Sequence, residues 1–234
     1  MNIYILIIYR MEIEKKEAAD MNDASSSDPK NCLYKEEINN NKNEIICVYN
    51  KKEKGGINIL HDYKYDYFEK KYKESYNEAK NNINEENIEI YVNDKKIKFN
   101  YKYESDEIGP ITIKFKFKKL LTSTAFMFCD CKSLESIDLS SFNTNNVTNM
   151  NHMFVDCFSL KSLDLSSFNT NNVINMNHMF GGCKSLESLD LSSFNTCNVT
   201  VTNCMFLLCE SLKLEKIKIN EKEKKILDEF KESN

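Results

Sequence analysis

The stretch SLESIDLSSFNTNNVTNMNHMF runs from Ser133 to Phe154. It returns as SLKSLDLSSFNTNNVINMNHMF from Ser159 to Phe180, and again as SLESLDLSSFNTCNVT from Ser185 to Thr200. Met127, Met153, Met179 and Met205 stand 26 residues apart, and so do Phe128, Phe154, Phe180 and Phe206. Between residues 127–152 and 153–178, 21 of 26 positions are identical; between 127–152 and 179–204, 19 are. A fixed period of this length marks stacked supersecondary units, none of which can bury its apolar face alone.

The spacing inside a unit suggests what each part does. Leu134, Ile137 and Leu139 give L-x-x-L-x-L, followed by Phe142 and Asn143. That pattern predicts a leucine-rich-repeat strand followed by a bend, in which Asn143 bonds backbone groups left open where the chain leaves the strand. Val147, Met150, Met153, Phe154 and Cys157 then fill the return side. The expected fold is α+β: a short leucine-rich-repeat solenoid of 26-residue units, preceded by a small β-rich capping domain with one helix. The domain plan is a weakly ordered segment over 1–42, a β-rich cap over 43–120, repeats over 121–212, and a C-terminal capping helix or tail over 213–234. The segment 121–126 reads as a half-unit joining cap to array. The fourth unit keeps MFLLCESL and then dissolves into a charged tail, where Ile226, Leu227 and Phe230 would face inward on a last helix.

Within the cap, Glu44–Tyr49 and Ile57–Leu60 read as a hairpin around NKKEKGG. Tyr65, Phe68, Tyr72, Tyr76 and Ala79 form one apolar helical stripe. Ile88, Ile90 and Val92, then Ile97, Phe99, Tyr101 and Tyr103, then Ile111, Ile113, Phe115 and Phe117, alternate as strands. A β-grasp-like arrangement fits that order.

The motif M-F-x-x-C-x-S-L-x-S-L-D-L-S-S-F-N-T-x-N-V-T-N-M resembles that of the BspA-like leucine-rich-repeat surface proteins, over about residues 121–212. The resemblance implies adhesion or partner binding at a cell surface and no enzyme activity. Val201, Thr202 and Cys204 depart from the motif in the third unit.

Binding is expected on the outward strand positions. These are Glu135, Ser136, Asp138 and Ser140; Lys161, Ser162, Asp164 and Ser166; and Glu187, Ser188, Asp190 and Ser192, all on the concave face. Repeat proteins commonly bind partners there. Three Asp about 5 Å apart would repel unless cations, hydroxyls or Lys161 relieve them. The Glu135–Lys161–Glu187 row reads as cross-strand charge pairing.

Other groups are read as structural. The chain has nine cysteines. Cys131, Cys157, Cys183 and Cys209 fall one repeat apart, as buried packing positions would; a bridge between adjacent units is geometrically open but not demanded. His152 and His178 form a column that Cys204 continues, a half-buried turn position with a zinc site as the alternative. His61–Asp62 is the one suggestive acid–base pair. Asn146 and Asn198 begin N-x-T glycosylation motifs.

Composition narrows the function class. The net charge is -4 with both signs interleaved, so there is no basic stripe for a phosphate backbone, and nucleic acid is not an expected partner. No phosphate loop, nucleophile triad or zinc-protease motif occurs, so neither a cofactor nor a small-molecule substrate is expected. The expected function is a non-catalytic module that binds a protein or glycan. The alternative is a structural, self-associating scaffold without a specific ligand. The apolar run Ile3–Tyr9 lacks a basic flank and a cleavage site and is too short to span a bilayer. The family resemblance implies the cell surface or secretion, and the missing signal leaves a cytoplasmic location as the alternative.

Overall fold

The computed structural model describes residues 42–63, 66–223, 226–228 and 231. Alternation sets the cap's strands. In β1 (Glu44–Lys51) every second residue is buried: Ile45, Cys47, Tyr49 and Lys51. The same period orders β3 (Ile88–Val92) and β6 (Gly109–Phe117). Lys51 sits at an inward position because its ammonium donates to the carbonyls of Glu53 and, at 3.0 Å, Glu107. A buried lysine is tolerable only with such partners. It ties the turn after β1 to the loop before β6.

With β4 (Lys95–Ile97) and β7 (Leu134–Asp138), these strands make a five-stranded antiparallel sheet in the order β4-β3-β6-β1-β7. A separate antiparallel pair joins β2 (Gly55–Asn58) to β5 (Lys102–Ser105). The hairpin expected between residues 44–49 and 57–60 therefore does not form, since β1 pairs with β6 and β7. The antiparallel β1–β6 pairing also replaces the β-grasp arrangement. The expected single helix is two: α1 (Asp66–Lys71) and α2 (Lys73–Asn82), broken at Tyr72 (φ -124°, ψ 40°). Tyr76 and Ala79 are buried on α2 and Tyr72 packs partly against the core. The Tyr65 and Phe68 side chains lie outside the described residues.

Strand pairing corrects the leucine-rich-repeat solenoid. The repeat strands do not form one continuous sheet. β7, from the first unit, is taken into the cap's antiparallel sheet, with Ile46 opposite Asp138 and Cys47 opposite Ile137. Only β8 (Ser162–Asp164), β9 (Ser188–Leu191) and β10 (Ile217–Ile219) pair in parallel, in the order β10-β9-β8. The described residues thus form three small sheets, none closed, in a mixed α/β arrangement rich in sheet. The physical reason is competition for an edge: β1 offers β7 a longer ladder than the three-residue β8 can. β10 was also unexpected; Ile217–Ile219 adds a strand where the repeat motif had faded.

The units are joined mainly through their return segments. The N–H groups of Phe126, Phe128 and Asp130 donate to the carbonyls of Asn151, Met153 and Val155 at 2.8–2.9 Å. His152, Phe154 and Asp156 reach Asn177, Met179 and Gly181 in the same way, and His178, Phe180 and Gly182 reach Asn203, Met205 and Leu207. Alternate N–H groups turn back into their own unit, as Met127 to Thr124 and Cys129 to Phe126. Two left-handed residues per unit go with this alternation. They are Phe126 and Asp130, His152 and Asp156, His178 and Gly182, and Cys204 and Leu208, all with φ between 53° and 75°. Most are not glycine, so the ladder must outweigh roughly 1–2 kcal/mol of strain at each.

Side chains reinforce the same stack. Phe128, Phe154, Phe180 and Phe206 lie ring on ring, with centroids 5.7, 6.1 and 5.8 Å apart. Thr144 donates to the Asn169 carbonyl at 3.1 Å and accepts its N–H at 2.9 Å; Thr170 does the same with Asn195. Asn143 accepts the Asn145 N–H at 2.9 Å, as its sequence position suggested.

Both ends are covered by imitation of a unit. The Met127 carbonyl has no preceding repeat, and the His61 N–H takes it at 3.0 Å. The Ala125 carbonyl receives the Tyr63 hydroxyl at 3.0 Å. At the other end, the Thr196 hydroxyl meets the carboxylate of buried Glu223, where earlier threonines meet the next unit. Ile226 is buried and Leu227 packs partly against the core; Phe230 lies outside the described residues.

Two outcomes follow. Phe154→Ala removes two ring stacks and leaves a cavity, so chemical denaturation should show a loss of about 3–5 kcal/mol. A chain lacking residues 44–118 loses β1 and the His61 and Tyr63 donors. It should show no cooperative unfolding transition by circular dichroism; a sharp one would refute the role given to the cap.

Candidate binding face

The outward strand positions divide between two sheets. In β8 and β9, Ser162 stands opposite Ser188 and Asp164 opposite Asp190. Ser136 and Asp138 lie on β7 and pair with β1 instead. One hydrogen-bonded row through all three units is therefore not made. β10 continues the row on the other side and places Lys218 opposite Asp190.

Each Asp has a local task. Asp138, Asp164 and Asp190 accept the N–H of Ser140, Ser166 and Ser192, each at 2.9 Å. These are Asx turns that end the strand. The Ser140 hydroxyl and then its N–H hold Asp138 below the usual carboxylate range. Partial burial pushes Asp190 up, but hydrogen bonds from Lys218 and Ser192 outweigh it and keep it low. The Lys218 ammonium lies 2.8 Å from Asp190 Oδ2. The expected Asp repulsion is thus relieved by turn N–H groups and by a lysine that the repeat period did not foretell. Among the described residues no ion pair joins Glu135, Lys161 and Glu187; the order in that row comes from the backbone, with the Glu187 N–H on the Lys161 carbonyl at 2.7 Å.

Exposure grades across the face. Ser136, Asp138, Ser140, Lys161, Ser162, Asp164, Ser166 and Glu187 are exposed, while Glu135, Ser188, Asp190 and Ser192 are half-buried. The neighbouring serines turn away from it: the Ser167 and Ser193 hydroxyls donate to the carbonyls of Leu139 and Leu165 at 3.1 and 2.8 Å.

Most groups with chemical potential elsewhere are committed to packing, the exposed Cys197 and half-buried Cys204 excepted. The eight described cysteines are free thiols. Cys157, Cys183 and Cys209 donate through Sγ to the carbonyls of Phe128, Phe154 and Phe180 at 3.1–3.2 Å, a unit-to-unit bond beyond simple packing. Burial pushes these thiols up, Cys209 to about 12. His152 and His178 are buried rather than half-buried, with rings 4.8 Å apart, and His152 stacks on Phe126 at 4.8 Å. Burial lowers both, His178 to about 4, so they are neutral imidazoles in a ring column. No group of three or more metal-ligating side chains is poised for an ion among the described residues. His61 is likewise buried, its Nδ1 3.4 Å from the Cys129 carbonyl, and burial lowers it to about 4.

The two N-x-T asparagines differ. Both are exposed, but Asn198 donates its side-chain amide to the Asn171 carbonyl at 2.7 Å. The left-handed positions were missed in the sequence, though the His, Asp or Gly before a Met or Cys at five of the eight (Asp130, His152, Asp156, His178 and Gly182) was a usable signal, since such residues tolerate that backbone; Phe126, Cys204 and Leu208 carried none.

The turn role of the Asp residues is measurable. Asp164→Ala should cost roughly 0.5–1.5 kcal/mol in urea denaturation, from the lost bond to Ser166. Asp138, whose acidity is strengthened on folding, contributes stability above its unfolded value near 3.9. That contribution should vanish as pH falls through the folded value. Asp138→Ala should therefore flatten the acid limb of the stability curve.

No curated protein and no solved structure matches the chain. Residues 122–233, the repeats and the C-terminal segment, match a family described as Mycoplasma protein of unknown function, DUF285.

Proposed function

We propose that this chain is a non-catalytic binding module that holds a protein or glycan partner on the outward face of its repeat strands. The observation that carries the reading is the Ser–Asp register of the repeat strands: exposed Ser162 and Asp164 stand beside half-buried Ser188 and Asp190, and the exposed Ser136 and Asp138 of β7 repeat the same pair in the neighbouring sheet. Hydroxyls and carboxylates repeated at strand spacing offer a partner a regular set of donors and acceptors. Groups with chemical potential are drawn into the packing: Cys157, Cys183 and Cys209 bond the preceding unit, His152 and His178 pack ring against ring, and His61 reaches the Cys129 carbonyl. The resemblance of the motif to BspA-like surface proteins points the same way and suggests adhesion at a cell surface.

Self-association is the second reading. Among the described residues β10 is one edge of its sheet, which favours strand addition by another copy. Exposed Lys216 and Lys218 beside that edge oppose it. The binding reading is therefore preferred, and light scattering across a concentration series separates the two.

The test uses arrays of glycans and of extracellular-matrix proteins, probed with the intact chain. A double variant, Ser136→Arg with Ser162→Arg, should bind its best probe at least about tenfold more weakly, a loss near 1.4 kcal/mol. Ile174→Arg, at an exposed site in the return segment, should leave binding intact. Equal binding by both variants, or none by the parent chain, would sink the proposal.

A further inference from the structure

Asp156 is the buried ionisable group that the binding face does not use. It lies in the return segment of the second unit, wholly buried, in a left-handed conformation with φ 59°. Both of its carboxyl oxygens are sequestered from solvent without a hydrogen-bond partner. The equivalent residues one period away show how unusual this is. Asp130 in the first unit accepts Asn58 Nδ2 at 2.9 Å and pairs with Lys132 at 2.8 Å. The third unit has Gly182 at this position, with φ 75°. A Cβ on Gly182 would stand 2.1 Å from Asp156 Oδ1, so a side chain there would displace the carboxyl from its present place.

The contact sits on a backbone joint. The Asp156 N–H donates to the Gly181 carbonyl at 2.9 Å, and the Gly182 N–H to the Leu207 carbonyl at 2.7 Å. Its charged and titratable surroundings among the described residues come from three units. Asp130 and Lys132 face it from the first unit and Lys184 from the third, with the thiols of Cys129, Cys157 and Cys183 nearby. Lys132 is engaged by Asp130 and Lys184 by Glu210 at 3.0 Å. An ionised carboxylate here would be buried without a donor and beside a second carboxylate, whereas the neutral acid is far cheaper to bury.

We propose that Asp156 is a proton-controlled joint: the second and third units pack fully while its carboxyl is the neutral acid, and loss of that proton loosens their junction, so that the protein is tightest in mildly acid surroundings. Burial first, and then Asp130, raise the carboxyl to about 7, against the pull of Lys132 and Lys184. An acid weakened by folding supports the folded state fully below its unfolded value near 3.9. That support is lost progressively as pH climbs to about 7. Asp138 acts in the opposite direction at the acid end.

The test is urea denaturation of the full chain between pH 5 and 8, beside Asp156→Asn and Asp156→Gly. The glycine variant copies the residue that the third unit already carries at this position. The unfolding constant of the parent chain should rise with pH by up to about tenfold per unit relative to either variant. In parallel, the Asp156 carboxyl carbon is titrated by NMR in the unmodified chain, a measurement that no variant's folding can compromise. Titration well above the ordinary carboxylate range, with divergent stability profiles, supports the joint. Parallel profiles, or a carboxyl that titrates near 4, overturn it.

Discussion

Everything in the repeat half depends on a single backbone device, the alternation of N–H groups in the return segment. One N–H closes a turn within its own unit and the next donates to the following unit. Neither set would hold alone: an isolated turn has no reason to adopt two left-handed residues, and a neighbouring unit cannot be reached without them. The stacked Phe rings, the Thr–Asn bonds and the Cys S–H···O bonds repeat at the same period because the ladder brings equivalent residues into register. This is why the near-identity of the copies matters physically. Each column works only where adjacent members fit each other.

A ladder of this kind has two open ends, and the chain closes them with different chemistry. The cap lends the first unit the donors that a preceding repeat would have supplied, from the His61 backbone and the Tyr63 hydroxyl. It also takes β7 into its own sheet. The far end is closed by β10, by Lys218 on Asp190 and by Glu223 on Thr196. The polar edge of the strands stays partly exposed between these ends, and its carboxylates serve partly as turn-formers. A partner on that face would meet an already ordered set of hydroxyls and carboxylate oxygens, which limits the entropy lost on binding.

Much of this was legible in the residues. The period, the buried columns of Met, Phe and Cys, the bend asparagine and the cap strands at 88–92 and 111–117 all follow from spacing and alternation. The candidate face was legible as a set of outward residues, but not its continuity. What misled was strand pairing. The L-x-x-L-x-L pattern is silent on whether a strand will pair in parallel with its own copy or antiparallel with a stranger. The helix break at Tyr72 and the strand at Ile217–Ile219 also lacked a local signal, since tertiary packing decides such short elements.

The sequence by itself determined which residues are equivalent and which of them must be buried, because a 26-residue period and its apolar positions are properties of the chain alone. Only the tertiary structure decided that β7 joins the cap, that Lys218 neutralises Asp190, and that Asp156 lies without a donor opposite Gly182. These are outcomes of competition among edges and neighbours distant in sequence, and a repeated sentence does not contain its neighbours' answers.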